Sequence, residues 1–411
     1  MTKNSSKQKV YTRQFWLLCL SSLLFFASFN MLIPELPAYL SSLGGAEYKG
    51  LIISLFTITA MLSRPFSGKI ADKVGRIPVM VIGTSVCFIS SLLYPVVSSV
   101  AGFLLLRLVH GFSTGFTPTG LTAYLSDIIP AQKRGEAMGL LGTAGTVGMA
   151  AGPAIGGAVA NNLGLNFMFY TSSGFAIVSI LILMGIKETL QQRNRFTHEV
   201  LKIHKRDLFE PRVLVTCIVM VLTAYSYGTV YTVIPDFGEF VGIRNKGLLF
   251  TFLTVASLSV RLIAGKASDY YGRRNVLIFS TGLAVVAMVL LGFGSTPRDL
   301  MIGVTLYGFA QGITSPTLFA WATDLSDEKH KGRGISSLYI FMEMGIGVGA
   351  FASGWIYGNR SENFITTFVI CAVLAGLAFL YLVTLRKPTV APQPVSVTNP
   401  SESVGSELDQ L

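Results

Sequence analysis

Charge is scarce in this chain. Asp, Glu, Lys and Arg together supply 13% of the 411 residues, about half the share usual in a soluble domain, so an ordinary water-soluble fold is not expected. Acids are fewest, 21 against 32 Lys and Arg, for a net charge of +11. Only four cysteines occur, Cys19, Cys87, Cys217 and Cys371, each inside an apolar run and no two at metal-ligand spacing. Neither a disulfide nor a thiolate-bound metal is expected, and the four read as small buried packing residues. Also missing are a GxxxxGK[ST] loop to cradle nucleotide phosphates, an HExxH zinc pair and any extramembrane domain to hold such a site. No cofactor, no metal and no enzymatic reaction is therefore expected.

What abounds is apolar length. Hydrophobic residues make up 51% of the chain, and twelve runs approach the ~20 residues needed to cross a bilayer. They begin near Phe15, Leu51, Val79, Ala101, Met138, Phe167, Val213, Leu248, Val276, Leu300, Ile335 and Phe364. The basic residues orient these spans and do not bind nucleic acid. Alternate connections hold 24 Lys and Arg on one side and five on the other, with Arg64, Arg107 and Arg261 inside spans. The positive-inside rule makes the richer side, with both termini, cytoplasmic, as in a multi-pass protein of the cytoplasmic (inner) membrane. The first run is long enough to span and has no small-residue cleavage site, so it is expected to be retained. Residues 1–13 read as a short cytoplasmic segment, and 388–411, rich in Pro, Ser, Thr, Val and acids, as a disordered cytoplasmic tail.

The chain is internally duplicated. GKIADKVGR at Gly68–Arg76 returns as GKASDYYGR at Gly265–Arg273, each preceded at the same distance by an arginine, Arg64 and Arg261. The spacing of 197 then pairs Asp127 with Asp324, Gly111 with Gly308, Gly115 with Gly312, and Gly148, Gly152 and Gly157 with Gly345, Gly349 and Gly354. Near the first and seventh spans it becomes 201, pairing Glu35 with Asp236. Two six-span bundles follow, residues 14–187 and 213–387, joined by a cytoplasmic linker at 188–212.

A GxxxDxxGR connection between spans 2 and 3, repeated between spans 8 and 9, resembles the signature of the major facilitator superfamily, and the resemblance covers about residues 13–387. It implies an all-α membrane fold of twelve transmembrane helices in two pseudo-symmetric halves, with a substrate cavity between them lined by spans 1, 4, 7 and 10. It also implies a state-dependent latch on the cytoplasmic side from Gly68, Asp72, Gly75, Arg76 and Asp127 and their second copies Gly265, Asp269, Gly272, Arg273 and Asp324. On elementary grounds, Gly68 and Gly265 let the chain leave a helix tightly, Asp72 and Asp269 face a helix's positive end, and Arg76 and Arg273 pair with nearby acids.

Span 5 reads Gly148, Gly152, Pro153, Gly156, Gly157, matching the GxxxGPxxGG element of that superfamily's proton-driven exporters; its counterpart has Ala350 for the proline. Small residues at this spacing equally allow plain helix packing. Arg107, within span 4, cannot shed its charge and must face a cavity or partner, and the resemblance implicates it in proton coupling. Glu343, on an otherwise apolar stretch of span 11, is a candidate proton carrier. Glu35 and Asp236, at the outer ends of spans 1 and 7, are mouth-facing alternatives, and His110 a titratable or packed one. Phe26, Asn30, Tyr225, Tyr231, Gln311 and Trp321 are candidates for contacting an amphipathic substrate. The expectation is a monomeric secondary transporter exporting a small organic or amphipathic molecule in exchange for protons by alternating access. A proton-coupled importer is the alternative, and a non-transporting receptor or lipid scramblase a more distant one.

Overall fold

The computed structural model describes residues 11–130, 134–190, 209–326 and 331–385. The expected tail and most of the expected linker and N-terminal segment lie outside them. Among the described residues the chain is helical: α1 (Arg13–Leu32), α2 (Leu36–Ser42), α3 (Lys49–Lys73), α4 (Arg76–Leu93), α5 (Val100–His110), α6 (Phe112–Ile128), α7 (Arg134–Leu163), α8 (Leu165–Met184), α9 (Leu214–Phe240), α10 (Gly247–Tyr271), α11 (Arg273–Phe293), α12 (Pro297–Leu325), α13 (Lys331–Tyr357) and α14 (Phe364–Thr384). Helices suit a bilayer because each satisfies its own backbone without water. With α5 and α6 forming one rod, ten are long and apolar enough to span, and α10, as a bent pair, makes an eleventh. The twelfth rod, α12, is as long but carries Thr, Gly, Gln311 and Ser315 along its length. Its N-terminus is still marked: Thr296 and Asp299 form a reciprocal capping box.

Glycine sets how closely these rods approach. A β-carbon on Gly148, Gly152 or Gly156 of α7 would stand 2.2–2.5 Å from the carbonyl oxygens of Leu23, Ala27 and Met31, one turn apart on α1. In the second half Gly345 and Gly349 of α13 lie as close to the carbonyls of Val221 and Tyr225 on α9. Likewise Gly111 packs on the Phe56 carbonyl and Gly308 on that of Leu253, positions related by the same spacing of 197. The duplicated sequence therefore produces duplicated backbone contacts. Pro153 does not interrupt α7, which runs on to Leu163.

Among the described residues the halves share a core at one end and have separate cores at the other. Toward the two GxxxDxxGR turns, the motif end, each half has its own core: Phe15, Leu18, Tyr124 and Leu183 in the first, Val213, Leu277, Trp321 and Leu382 in the second. At the far end one continuous core takes Met31, Leu32 and Phe103 from the first half with Val233, Phe250 and Phe364 from the second. There the halves touch backbone to backbone, Gly50 against Ala350 and Gly354, Gly247 against the Pro153 carbonyl. Lys49 pairs with Asp236 across this seam, Thr251 Oγ1 donates to the Ala150 carbonyl at 2.7 Å, and Asn359 Nδ2 to that of Ala46 at 2.7 Å.

Gly152→Leu should cost several kcal/mol of stability, beyond the ~1–3 kcal/mol of ordinary overpacking because backbone is the obstacle, and lower the melting temperature in detergent. Gly142→Ala, with open space around the added carbon, should stay within ~0.5 kcal/mol of wild type. Equal melting of the two variants would refute the close-approach account.

Candidate functional site

Where the halves separate they enclose a cavity of about 310 Å³, reached by residues of α1, α3, α5, α6, α7, α9, α10, α12 and α13. Its wall is largely aromatic and aliphatic, with Phe26, Phe29, Phe56, Met149, Tyr227 and Tyr231. The Tyr227 and Tyr231 rings stack at 4.4 Å and their hydroxyls are 2.8 Å apart. Beside several Ser and Thr hydroxyls, its polar groups include two amides, Asn30, whose Nδ2 turns back to the Phe26 carbonyl at 2.8 Å, and Gln311, with four charged side chains, Arg64, Arg107, Arg261 and Glu343.

Three of those charges are arginines and one is an acid, and only one arginine is paired with it. Arg64 Nη2 donates to Glu343 Oε1 at 2.8 Å, joining α3 of the first half to α13 of the second, and its guanidinium lies 4.4 Å from the Tyr339 ring centre. Side chains there are only 13% and 8% exposed, so the ion pair is shielded from bulk screening. The repeat maps Arg64 onto Arg261 and Glu343 onto Thr146. The same crossing recurs in mirror image, with Arg261 Nη1 donating to Thr146 Oγ1 at 3.3 Å. Arg107 is compensated differently: Nε donates to the Ile52 carbonyl at 2.8 Å, Nη1 to the Tyr94 hydroxyl at 3.2 Å, and the guanidinium stacks 4.5 Å from the Phe56 ring centre.

Of the residues expected to line a cavity, Phe26, Asn30, Tyr231 and Gln311 do so, with Arg107 and Glu343. Tyr225 and Trp321 do not. Tyr225 is buried where Gly349 packs on its backbone, and Trp321 sits in the second half's motif-end core. His110 is fully buried outside the cavity, its ring nitrogens 3.3 Å from the Tyr94 hydroxyl and 3.4 Å from Cys87 Sγ. The mouth acids are not solvated either. Asp236 is engaged by Lys49, and Glu35 is 8% exposed with Oε1 unpartnered, while Lys246 turns to Glu239 at 2.6 Å. All four cysteines are free and buried.

At the motif end each turn carries the same fork. Arg76 reaches Asp72 at 2.6 Å and Asp127 at 3.1 Å, and Arg273 reaches Asp269 at 2.5 Å and Asp324 at 3.0 Å. Each fork lies within its own half. Two details of the sequence reading are corrected. Gly68 and Gly265 sit inside α3 and α10, and the chain turns instead at Gly75 and Gly272, whose positive φ of 152° and 84° suits glycine. The acid facing a helix's positive end is Glu188, which accepts from the Arg76 and Ile77 amides at 3.1 and 3.0 Å; Asp72 serves Arg76. Sequence reasoning also missed Arg64, Arg261, Lys49 and Lys246 as partners. Their signal was present, since the spacing of 197 relates Lys49 to Lys246 and Arg64 to Arg261, and a charge in a span demands a partner.

A family profile described as Major Facilitator Superfamily matches residues 18–245 and 216–406. The chain is similar to the Multi-drug resistance efflux pump PmrA of Streptococcus pneumoniae serotype 4, with 27% identity over 345 residues covering 81% of this chain and 86% of that one. It is 28% identical over 371 residues to the Multidrug resistance protein MdtG of Enterobacter lignolyticus, covering 86% and 88%. Among solved structures it shares its fold with a D-xylose-proton symporter, at TM-score 0.74 and 14% identity over 90% of this chain and 96% of that one. The nucleoside transporter NupG aligns at TM-score 0.73 and 16% identity, covering 90% and 99%.

Arg64→Gln and Glu343→Gln should each destabilise the protein by leaving the other charge uncompensated, while the double variant should be milder than their sum, with a coupling of ~1–3 kcal/mol. Thermal unfolding of the four proteins in one detergent measures this. Effects additive within ~0.5 kcal/mol would show that the pair contributes nothing across the seam.

Proposed function

Because the chain belongs to the major facilitator superfamily, we propose that it is a secondary transporter that moves small amphipathic molecules out of the cell in exchange for protons. The observation that carries this reading is the cavity between the halves, where the one acid, Glu343, bridges them through Arg64. The efflux pump PmrA among its relatives supports the outward direction, the multidrug resistance protein MdtG a drug-like cargo, and the shared folds of NupG and the symporter speak only to architecture. The excess of basic residues at the motif end supports a cytoplasmic position for that end. In this reading the shared core and the Lys49–Asp236 pair close the cavity on the outer side, and the separate cores of the motif end face the cytoplasm.

Glu343 converts protonation into movement. Ionised, its carboxylate holds Arg64 across the seam; protonated, it no longer balances that charge. The ion pair's strength therefore differs between protonation states, which is the differential interaction a conformational equilibrium responds to. A bias of a few kcal/mol suffices to repopulate two states. The forks around Arg76 and Arg273 keep each turn rigid within its half and supply the gating surface that closes the cytoplasmic side when the halves rock together. Gly148, Gly152 and Gly156 bind α1 to α7, so the helix carrying Thr146 moves with the helix carrying Asn30.

In everted membrane vesicles, naphthyl fluorophores of positive, negative and neutral charge should reveal at least one cargo accumulated against its gradient with release of protons from the lumen. Glu343→Gln should retain binding of that cargo and lose the coupled proton release. Uptake seen only in right-side-out vesicles would establish import. Cargo flux without proton movement, or unchanged coupling in the Gln variant, would remove Glu343 from the cycle.

A further inference from the structure

We propose that the cargo is an amphipathic anion and that Arg261 recognises its charged group. This deepens the efflux reading and rests on it. The cavity wall holds three arginines, Arg64, Arg107 and Arg261, against one acid, Glu343. The three are not equivalent. Arg64 is balanced by Glu343. Arg107 is 2% exposed, with its Nε and Nη1 given to the Ile52 carbonyl and the Tyr94 hydroxyl. Arg261 stands where the repeat would offer it a carboxylate and finds Thr146 instead. Its bond to that hydroxyl is 3.3 Å, its buried Nε has no hydrogen-bond partner, and among the described residues no carboxylate lies in ion-pair reach of it.

A guanidinium stays charged at any pH a cell meets. Compensation that the protein withholds from Arg261 must come from water or from a bound anion, and its planar fork matches a carboxylate, sulfonate or phosphonate. The wall around it selects the rest of the molecule. Phe26, Phe29, Met149 and Tyr227 offer apolar and aromatic surface, and 310 Å³ lies at the lower end of the ~300–1,000 Å³ typical of small-molecule sites. An aromatic or short alkyl body carrying one negative group satisfies both demands. A cation of the same shape would meet an excess of positive charge and, with Glu343 already engaged, no free acid.

The test uses the full chain in phosphatidylcholine nanodiscs with two probes of matched shape, naphthalene-2-sulfonate and 2-naphthyltrimethylammonium. The sulfonate should bind at least tenfold more tightly. Arg261→Gln should weaken the sulfonate tenfold or more without weakening the ammonium, and Arg261→Lys should restore most of the loss; melting of each variant controls for folding. Equal affinity for the two probes, preference for the ammonium, or a sulfonate affinity indifferent to Arg261→Gln would overturn the assignment. Vesicles that export the ammonium against protons and ignore the sulfonate would refute anion recognition while leaving the efflux reading intact. Sulfonate-selective binding without any flux would sustain anion recognition at Arg261 and sink efflux instead.

Discussion

An arginine inside a transmembrane helix cannot lower its cost by releasing a proton, so Arg64, Arg107 and Arg261 each have to be compensated where they stand. The chain solves this three ways: a carboxylate from the opposite half, a backbone carbonyl with a tyrosine hydroxyl and a phenylalanine face, and a lone threonine hydroxyl. Two of the three solutions cross between the halves. The halves are consequently held in register by polar contacts at the depth of the cavity and by apolar packing beyond it. A cavity in this protein is what remains where neither kind of contact is made.

Close helix approach makes that arrangement possible. Seams built on Gly148 and Gly152 and on Gly345 and Gly349 leave no room for side chains between α1 and α7 or between α9 and α13. Bulk is displaced to the lipid face and the cavity face. Van der Waals contact between backbones substitutes for the hydrophobic drive that lipid removes. Each half thereby acquires a rigid pair of helices that presents cavity residues at fixed depth, Asn30 with Thr146 in one and Tyr231 with Glu343 in the other.

Much of this was legible in the sequence, and the reasons differ by residue. The twelve spans and the repeat were readable because bilayer thickness fixes the length of an apolar run and duplication preserves spacing. The close approach at Gly148 and Gly152 was readable as a small-residue stripe. Tyr225 and Trp321 were misplaced because an aromatic ring on a cavity-lining helix faces the cavity or its own bundle according to a rotation of the helix that no pattern in α9 or α12 encodes. Glu343 was found as an isolated acid, yet its partner was not. Arg64 lies on a helix 279 residues away, and pairing across a seam depends on how two bundles dock. Gly68 misled for a local reason: glycine before a turn is a good stop signal, but α3 continues to Lys73 and the turn falls at Gly75, the position with positive φ.

Duplication also explains why the departures from symmetry matter. Had the first half also carried a carboxylate, at position 146, Arg64 and Arg261 would each be balanced, and the cavity would hold two equivalent acids. With Thr146 in place of one, a single acid lines the cavity among the described residues, and one guanidinium is left with a hydroxyl for company. The uncompensated cation makes an empty cavity electrostatically expensive and an anion-filled one less so, because a bound anion supplies the charge the repeat withheld. One difference between equivalent positions thus gives one arginine an acid and the other a hydroxyl, while the close helix approaches that carry them recur in both halves.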